Sequence, residues 1–340
     1  MYNSITKINL ERGKPMKYTL FSEAAIGSTL RRPVLVTAIN EMTARNGNSF
    51  VKLTMKDGQS EQTATMFDTT EKALADNKGV VKNCVVDVEL KVTEYQGAKS
   101  FTVNNISVHL GNDITINDFV KVPPVDINKM YNELCEMVRS TANDFDGKYT
   151  PIADLTIKIL EDLKDRYITS SAAISMHHNL RGGLLYHSYR MAQAADAVCG
   201  VYSILDRELM ICGAALHDIG KIWEYKTYET GEAEFTSGGV LFGHLYLGAS
   251  LIKKYTDNQN YNMEKVQMLI HMILSHHGQL EWGAVAFPAT PEAMALHFID
   301  NLDAKMYAFE ENYESLKPGS LTEKRPFGFD TRIYKPDFLK

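Results

Sequence analysis

The hydrophobic period of this chain changes once, at Lys121-Val122-Pro123-Pro124. Before it, apolar residues alternate with polar ones over several stretches. After it, they recur at helical spacing almost throughout. Consecutive prolines continue neither a strand ladder nor a helix, so they mark a boundary between two folded parts. A length of 340 residues accommodates two domains.

In the first part, residues 1–30 give weak signals and read as an arm. Val34, Val36 and Ala38 then alternate with Leu35, Thr37 and Ile39, and Val51, Leu53 and Met55 with Lys52, Thr54 and Lys56. Asp57-Gly58 is a hairpin signal, since both residues tolerate positive φ. Ala64 and Met66 continue the pattern. A short helix is expected from Thr69 to Lys78, stopped by Gly79. Val86, Val88, Leu90 and Val92 form the next strand, and Gly97 turns the chain into Phe101 to Val108. Three strands, a helix and two strands are the order of a five-stranded Greek-key barrel, the OB-fold, expected over residues 31–120. Such barrels bind single strands by stacking bases on aromatics over a basic groove. Phe50, Phe67, Tyr95 and Phe101, with Arg32, Lys52 and Lys99, are the candidates. Each aromatic is equally at home in the core of a small barrel.

The second part, residues 121–316, reads as an all-α bundle. Asp126 and Pro151 open its first two helices, and a tail rich in Pro, Gly, Arg and aromatics follows from 317 to 340, either disordered or folded back. Nine of the ten histidines lie between His177 and His297. His217-Asp218 closes an apolar segment, Leu209 to Leu216, with Gly220 and Lys221 behind it. Imidazole and carboxylate together suit a divalent metal. His187 lies in the early turns of a helix after Gly182-Gly183; His244 follows Gly243; His276-His277-Gly278 ends another helix. Asp300 interrupts the apolar stripe of the last helix between Leu296 and Ala304, where a buried carboxylate is costly unless it is paired or binds metal. Asp303, one turn on, is its rival or a supporting partner. Any of these histidines taken singly is as readily a hydrogen-bonded core residue. Their concentration on separate helices points to a metal site between helices of one bundle.

The formal net charge of -6 gives no global basic field, so nucleic acid would need a local groove. Cys84, Cys135, Cys199 and Cys212 are scattered without CxxC spacing and read as thiols of a reducing compartment. The N-terminus lacks a signal-peptide pattern and no run reaches 18 apolar residues, so a cytoplasmic protein with no membrane partner is expected.

His187, His217-Asp218 and Asp300 resemble the H…HD…D signature of the HD superfamily of metal-dependent phosphohydrolases. Further strings narrow the resemblance: His177-His178-Asn179-Leu180-Arg181-Gly182-Gly183, Leu216 to Lys221, His271 to Gly278, Glu281-Trp282-Gly283 and Ile299 to Met306. With a barrel in front, the chain is similar to the YhaM-type 3′→5′ exoribonucleases. The resemblance implies release of nucleoside 5′-monophosphates from a 3′ end of single-stranded RNA, or DNA, by a metal-activated water. Manganese is the favoured ion, with Fe, Co, Ni and Zn compatible and two ions accommodated. It implies His187, His217, Asp218 and Asp300 for a first ion, and His244 and His276 with Asp218 bridging for a second. His277 would join them or touch substrate. Lys221 would assist at the phosphoryl group, and His178 and Arg181 would hold the terminal nucleotide. Self-association stays open. The signature alone also fits a phosphodiesterase of cyclic or short oligonucleotides, a nucleotidase, or a non-catalytic single-strand-binding protein.

Overall fold

The computed structural model describes residues 18–142, 147–173 and 180–339. The chain divides into two units, Met1–Pro124 and Val125–Lys340, each with its own core.

The first unit is a closed five-stranded barrel. It comprises β1 (Thr29–Thr43), β2 (Ser49–Lys56), β3 (Glu61–Phe67), β4 (Val85–Tyr95) and β5 (Ala98–Val108), with α1 (Glu71–Lys78) between β3 and β4. The strand order is β1-β2-β3-β5-β4, closed by β1 against β4, and β3 and β5 are parallel. This is the expected OB-like arrangement. Closure rests on the length of β1: Thr29 to Leu35 pair with β4, and Leu35 to Thr43 pair with β2, with a register shift between Val36 and Ala38. A bulge bends the strand so that it serves two neighbours. In β2, Val51, Leu53 and Met55 are fully buried and Lys52 is exposed, as period two requires. Thr70 Oγ1 caps α1 by accepting from the Ala73 amide, and Gly79 ends it in the left-handed region.

Several residues differ from the sequence reading. Phe21 and Ala24, within the stretch read as an arm, are buried with the barrel core. Phe101 is no base platform: it is 3% exposed and packs against Phe21 with ring centroids 5.5 Å apart. Arg32 is no groove residue either. It is buried, donates to the Thr19 and Asp57 carbonyls, and lies 3.6 Å from the Asp57 carboxylate. Asp57 does more than make a turn: its Oδ1 accepts from the Gln59 and Ser60 amides and its Oδ2 from the Phe21 amide. Lys99 donates to the Ser22 carbonyl.

The second unit is helical: α2 (Ile127–Arg139), α3 (Ile152–Asp162), α4 (Lys164–Tyr167), α5 (Gly183–Cys199), α6 (Arg207–Leu216), α7 (Lys221–Glu224), α8 (Ser237–Thr256), α9 (Met263–Ser275) and α10 (Pro291–Ser315). Asp126, Asp206, Thr236, Asn262 and Thr290 cap α2, α6, α8, α9 and α10 with side-chain acceptors. Each such cap is worth about 1 kcal/mol. Helix α6 is the central element. Leu209 to Leu216 are all buried, and α6 packs on α2, α3, α5, α9 and α10. A Cβ at Gly213 would come within 2.4 Å of Met272 Cε, so the glycine leaves room for the methionine side chain of α9. The C-terminal end of α6 therefore delivers His217 and Asp218 to the middle of the bundle.

A hairpin of β6 (Tyr225–Thr227) and β7 (Ala233–Phe235) between α7 and α8 was not foreseen. The tail folds back on α10 through the pair β8 (Ser320–Leu321) and β9 (Tyr334–Lys335). Tyr313 Oη donates to the Tyr334 carbonyl, Lys335 Nζ donates to the Tyr313 carbonyl, and Ile333 is buried. No described helix is long and apolar enough to cross a membrane.

Candidate metal centre

Five histidines and two aspartates from five parts of the bundle converge. His187 comes from α5, His217 and Asp218 from the end of α6, His244 from α8, His276 and His277 from the end of α9, and Asp300 from α10. His187, His217, Asp218, His244 and His276 are each at most 9% exposed; His277 and Asp300 are half-buried at the rim. Three metal-compatible groups overlap here: His187-His217-Asp218, His217-His276-Asp300 and His244-His276-His277.

The glycines of the motif regions make this approach possible. A Cβ at Gly220 would lie 2.0 Å from the His244 carbonyl oxygen, backbone against backbone, so His217-Asp218-Ile219-Gly220 needs glycine there for α8 to come near. Gly243 breaks α8 at φ +68°, a conformation favourable to glycine, just before His244.

All five rings are oriented from behind. His187 Nδ1 lies 2.7 Å from Asp303 Oδ2, and His244 Nδ1 lies 2.9 Å from Glu224 Oε2. His217, His276 and His277 place Nδ1 at 3.0, 2.8 and 2.9 Å from the carbonyls of Ala214, Ile273 and Trp282. The oxygens of Asp303, Ala214, Ile273 and Trp282 accept, so these four Nδ1 atoms carry the proton and turn Nε2 inward, while His244 Nδ1 and Glu224 Oε2 are close without the geometry of a hydrogen bond. Those Nε2 atoms meet one another: His187 and His217 at 3.1 Å, His244 and His277 at 3.2 Å. A divalent ion, or a proton on one ring of each pair, would relieve the approach of two imidazole nitrogens at such distances.

Asp218 stands between the two histidine sets. Its Oδ2 is 3.3 Å from His217 Nε2 and 3.8 Å from His187 Nε2; its Oδ1 is 3.5 Å from His244 Nε2 and 3.7 Å from His276 Nε2. Oδ1 is fully buried yet accepts no hydrogen bond, which is costly for a carboxylate oxygen. A divalent ion would satisfy it, so the donor set fits a metal.

Electrostatics agree. Burial pushes the Asp218 carboxyl up, but Lys221 and the surrounding imidazoles outweigh it and hold it well below the usual range. Asp300 behaves alike, with burial opposed chiefly by His187, whose Nε2 is 3.2 Å from Asp300 Oδ1. Burial keeps His276 and His277 neutral, helped by neighbouring histidines. His187 is the exception: burial lowers it, yet Asp300 and Asp303 carry it up to about 10. The two carboxylates thus favour positive charge at this position.

The remaining sequence-derived candidates are distributed as follows. Asp303 lies outside the ring of ligands, holding His187 with one oxygen and Arg190 Nε at 2.6 Å with the other. Lys221 Nζ is 2.6 Å from Asp218 Oδ2, so Asp218 engages the ammonium expected to meet phosphate. Arg181 is half-buried, with no side-chain hydrogen bond or ion pair among the described residues. His178 lies outside the described residues. Glu224 was missed: it follows no motif, and only the fold brings it behind His244, whose amide it also accepts at 3.0 Å. His271 and His297 are not in the ligand ring; His271 Nε2 accepts from the Ala289 amide and His297 Nδ1 donates to the His276 carbonyl.

On the barrel, Phe50 and Phe67 are register partners of β2 and β3 with ring centroids 6.0 Å apart. Lys52 is exposed on the same strand face as Phe50, Phe67 is 58% exposed, and exposed Tyr95 stands at the β4–β5 turn. These are the strand-2–3 face and the 4–5 loop that OB barrels use for oligonucleotides.

Comparison with known proteins places this geometry. An HD domain matches residues 184–305. The 3′-5′ exoribonuclease YhaM of Bacillus subtilis (strain 168) is 31% identical over 317 residues, covering 93% of this chain and 97% of that protein. The protein of the same name from Geobacillus sp. (strain WCH70) is 30% identical over 315 residues, covering 92% and 94%. Among solved structures, the second OB-fold domain of replication protein A from Methanococcus maripaludis matches 28% of this chain and 97% of its own, at 20% identity and a TM-score of 0.23. Near-complete coverage by relatives at this identity, with the HD histidines and aspartates in one centre, shows that the chain belongs to the family of YhaM-type 3′→5′ exoribonucleases, hydrolases with a metal-dependent HD domain.

Proposed function

We propose that the protein shortens single-stranded RNA from its 3′ end, with DNA as a second substrate, and releases nucleoside 5′-monophosphates. The observation that carries this reading is Asp218, a buried carboxylate with one oxygen toward His187 and His217 and the other toward His244 and His276. His187, His217, Asp218 and Asp300 would hold one divalent ion, manganese by preference. His244, His276 and His277 would hold a second, with Asp218 shared. Bound there, such ions lower the pKa of a water and neutralise phosphoryl charge.

The chain's own residues do the rest. Lys221 fixes the Asp218 carboxylate and offsets its charge. Asp303 holds the His187 ring in the tautomer that presents Nε2 inward, and Glu224 accepts the His244 amide and sets its carboxylate behind that ring. Arg181, half-buried and unpaired among the described residues, is suited to a phosphate of the terminal nucleotide. Phe50, Lys52, Phe67 and Tyr95 would grip upstream nucleotides without sequence choice. The curated relatives are named exoribonucleases, which favours RNA.

The test is metal-stripped protein incubated with 5′-labelled single-stranded RNA or DNA, with manganese, magnesium or zinc restored. A metal-dependent ladder shortening from the 3′ end is expected, abolished in Asp218→Ala while single-strand binding survives. Intact polymers under every ion would refute the polymer substrate, and turnover by Asp218→Ala would refute the site.

A further inference from the structure

We infer that Trp282 is the stacking platform for the 3′-terminal nucleobase, an inference that rests on the exonuclease reading above. Tryptophan is usually well buried, yet this residue is 57% exposed. The segment carrying it is not loose. The Trp282 amide donates to the Gln279 carbonyl at 3.1 Å, Gly283 to Leu280 at 3.0 Å, Ala284 to Gln279 at 3.2 Å and Val285 to Leu274 at 2.9 Å. Gly278 and Gly283 bracket the turn at φ +78° and +92°. A large aromatic surface is thus held in water by a rigid turn.

That turn is fastened to the metal centre. The Trp282 carbonyl accepts from His277 Nδ1 at 2.9 Å. The indole lies 6.1 Å from the His297 ring, tilted by 37°, and His297 is itself bonded to the His276 carbonyl at 2.8 Å. A Cβ at Gly278 would fall 2.2 Å from the His297 ring, so the turn and α10 are closely packed at this point. Trp282 therefore sits one hydrogen bond from His277 and reaches His276 through the His297 ring beside it. Every base presents a π-face, so a lone tryptophan beside the hydrolytic centre positions any terminal base without choosing among them. The same residue serves twice: its backbone orients His277 and its side chain is left for substrate.

That division makes the test clean, because substitution of the side chain keeps the carbonyl. Two RNAs are compared, one with a normal 3′-terminal nucleotide and one ending in an abasic ribose. Wild type should prefer the base-bearing end by about 5- to 150-fold in kcat/KM, the range that base–aromatic stacking supplies. Trp282→Ala should lose that preference, with the ratio falling toward one, and Trp282→Phe should recover most of it. Metal content should match wild type in both variants. Full discrimination retained by Trp282→Ala would overturn the assignment, as would loss of metal in Trp282→Ala, which would make the side chain structural. If wild type trims neither RNA, the exonuclease reading fails separately. In that case a Trp223→Phe background leaves Trp282 as the sole tryptophan, and quenching of its fluorescence by adenosine 5′-monophosphate decides: quenching supports stacking, and its absence overturns it.

Discussion

His187 on α5 and Asp303 on α10 are joined by a 2.7 Å contact between Nδ1 and Oδ2. The other Asp303 oxygen is 2.6 Å from Arg190 Nε, so this carboxylate is occupied outside the ligand ring while Asp300, one turn earlier, faces inward. Two aspartates three residues apart thus have different jobs: one aims a ligand, the other is placed to be one.

Asp303→Asn should therefore weaken manganese affinity by about 10- to 100-fold, the usual cost of losing a partner that orients a ligand histidine. Asp300→Asn should cost more, since it removes a donor. Titration calorimetry of the metal-stripped variants gives the order directly; an Asp303→Asn affinity equal to wild type would contradict it.

His187 gives a pH dependence. Its burial lowers the pKa, but Asp300 and Asp303 raise it to about 10 in the metal-free protein. A raised folded-state pKa stabilises fully below the unfolded value near 6.5 and is lost as pH climbs through the folded value. Metal displaces that proton, and its own binding strengthens as protons become scarce. The gain in Tm on adding manganese should therefore grow between about pH 6.5 and 9, and loading near neutral pH should release protons, measurable with an indicator dye.

Adjacent glycines at the start of α8 should respond oppositely to alanine. A Cβ at Gly239 would lie 2.2 Å from the Glu224 carbonyl oxygen, whereas one at Gly238 has Thr236 Oγ1 at 3.8 Å as its nearest neighbour. Gly239→Ala should cost about 1–3 kcal/mol and disturb the support of His244. Gly238→Ala should be neutral or stabilise by about 0.4–1 kcal/mol. Urea unfolding of both variants checks the contrast.

The barrel separates binding from packing. Phe67→Ala, on the exposed strand face, should weaken single-stranded RNA binding by about 1–3 kcal/mol with little loss of stability. Phe101→Ala, in the core, should lower stability by about 3–5 kcal/mol. Fluorescence anisotropy and thermal melts on the two variants distinguish the roles.

Much of this was legible from residue pattern. Alternation in Val51-Leu53-Met55 and Val86 to Val92, the helix opener Asp126, and the break at Pro123-Pro124 act locally, so the sequence displays them. What it hid depends on contacts distant in the chain. Glu224 gains meaning only when Gly243 turns His244 onto it, and period-two alternation does not tell whether Phe101 meets solvent or Phe21. Asp300 and Asp303 both interrupt the helical stripe, and only the placement of α5 separates them. Lys221 has the spacing for a phosphate, yet three residues back on a helical turn puts Asp218 within its reach.

The most direct test of the whole account is a crystal of the protein grown with manganese and measured at the manganese absorption edge. The account predicts anomalous peaks on both sides of the Asp218 carboxylate, one beside His187, His217 and Asp300 and one beside His244, His276 and His277. Peaks elsewhere, or none with the histidines paired as they are here, would contradict it.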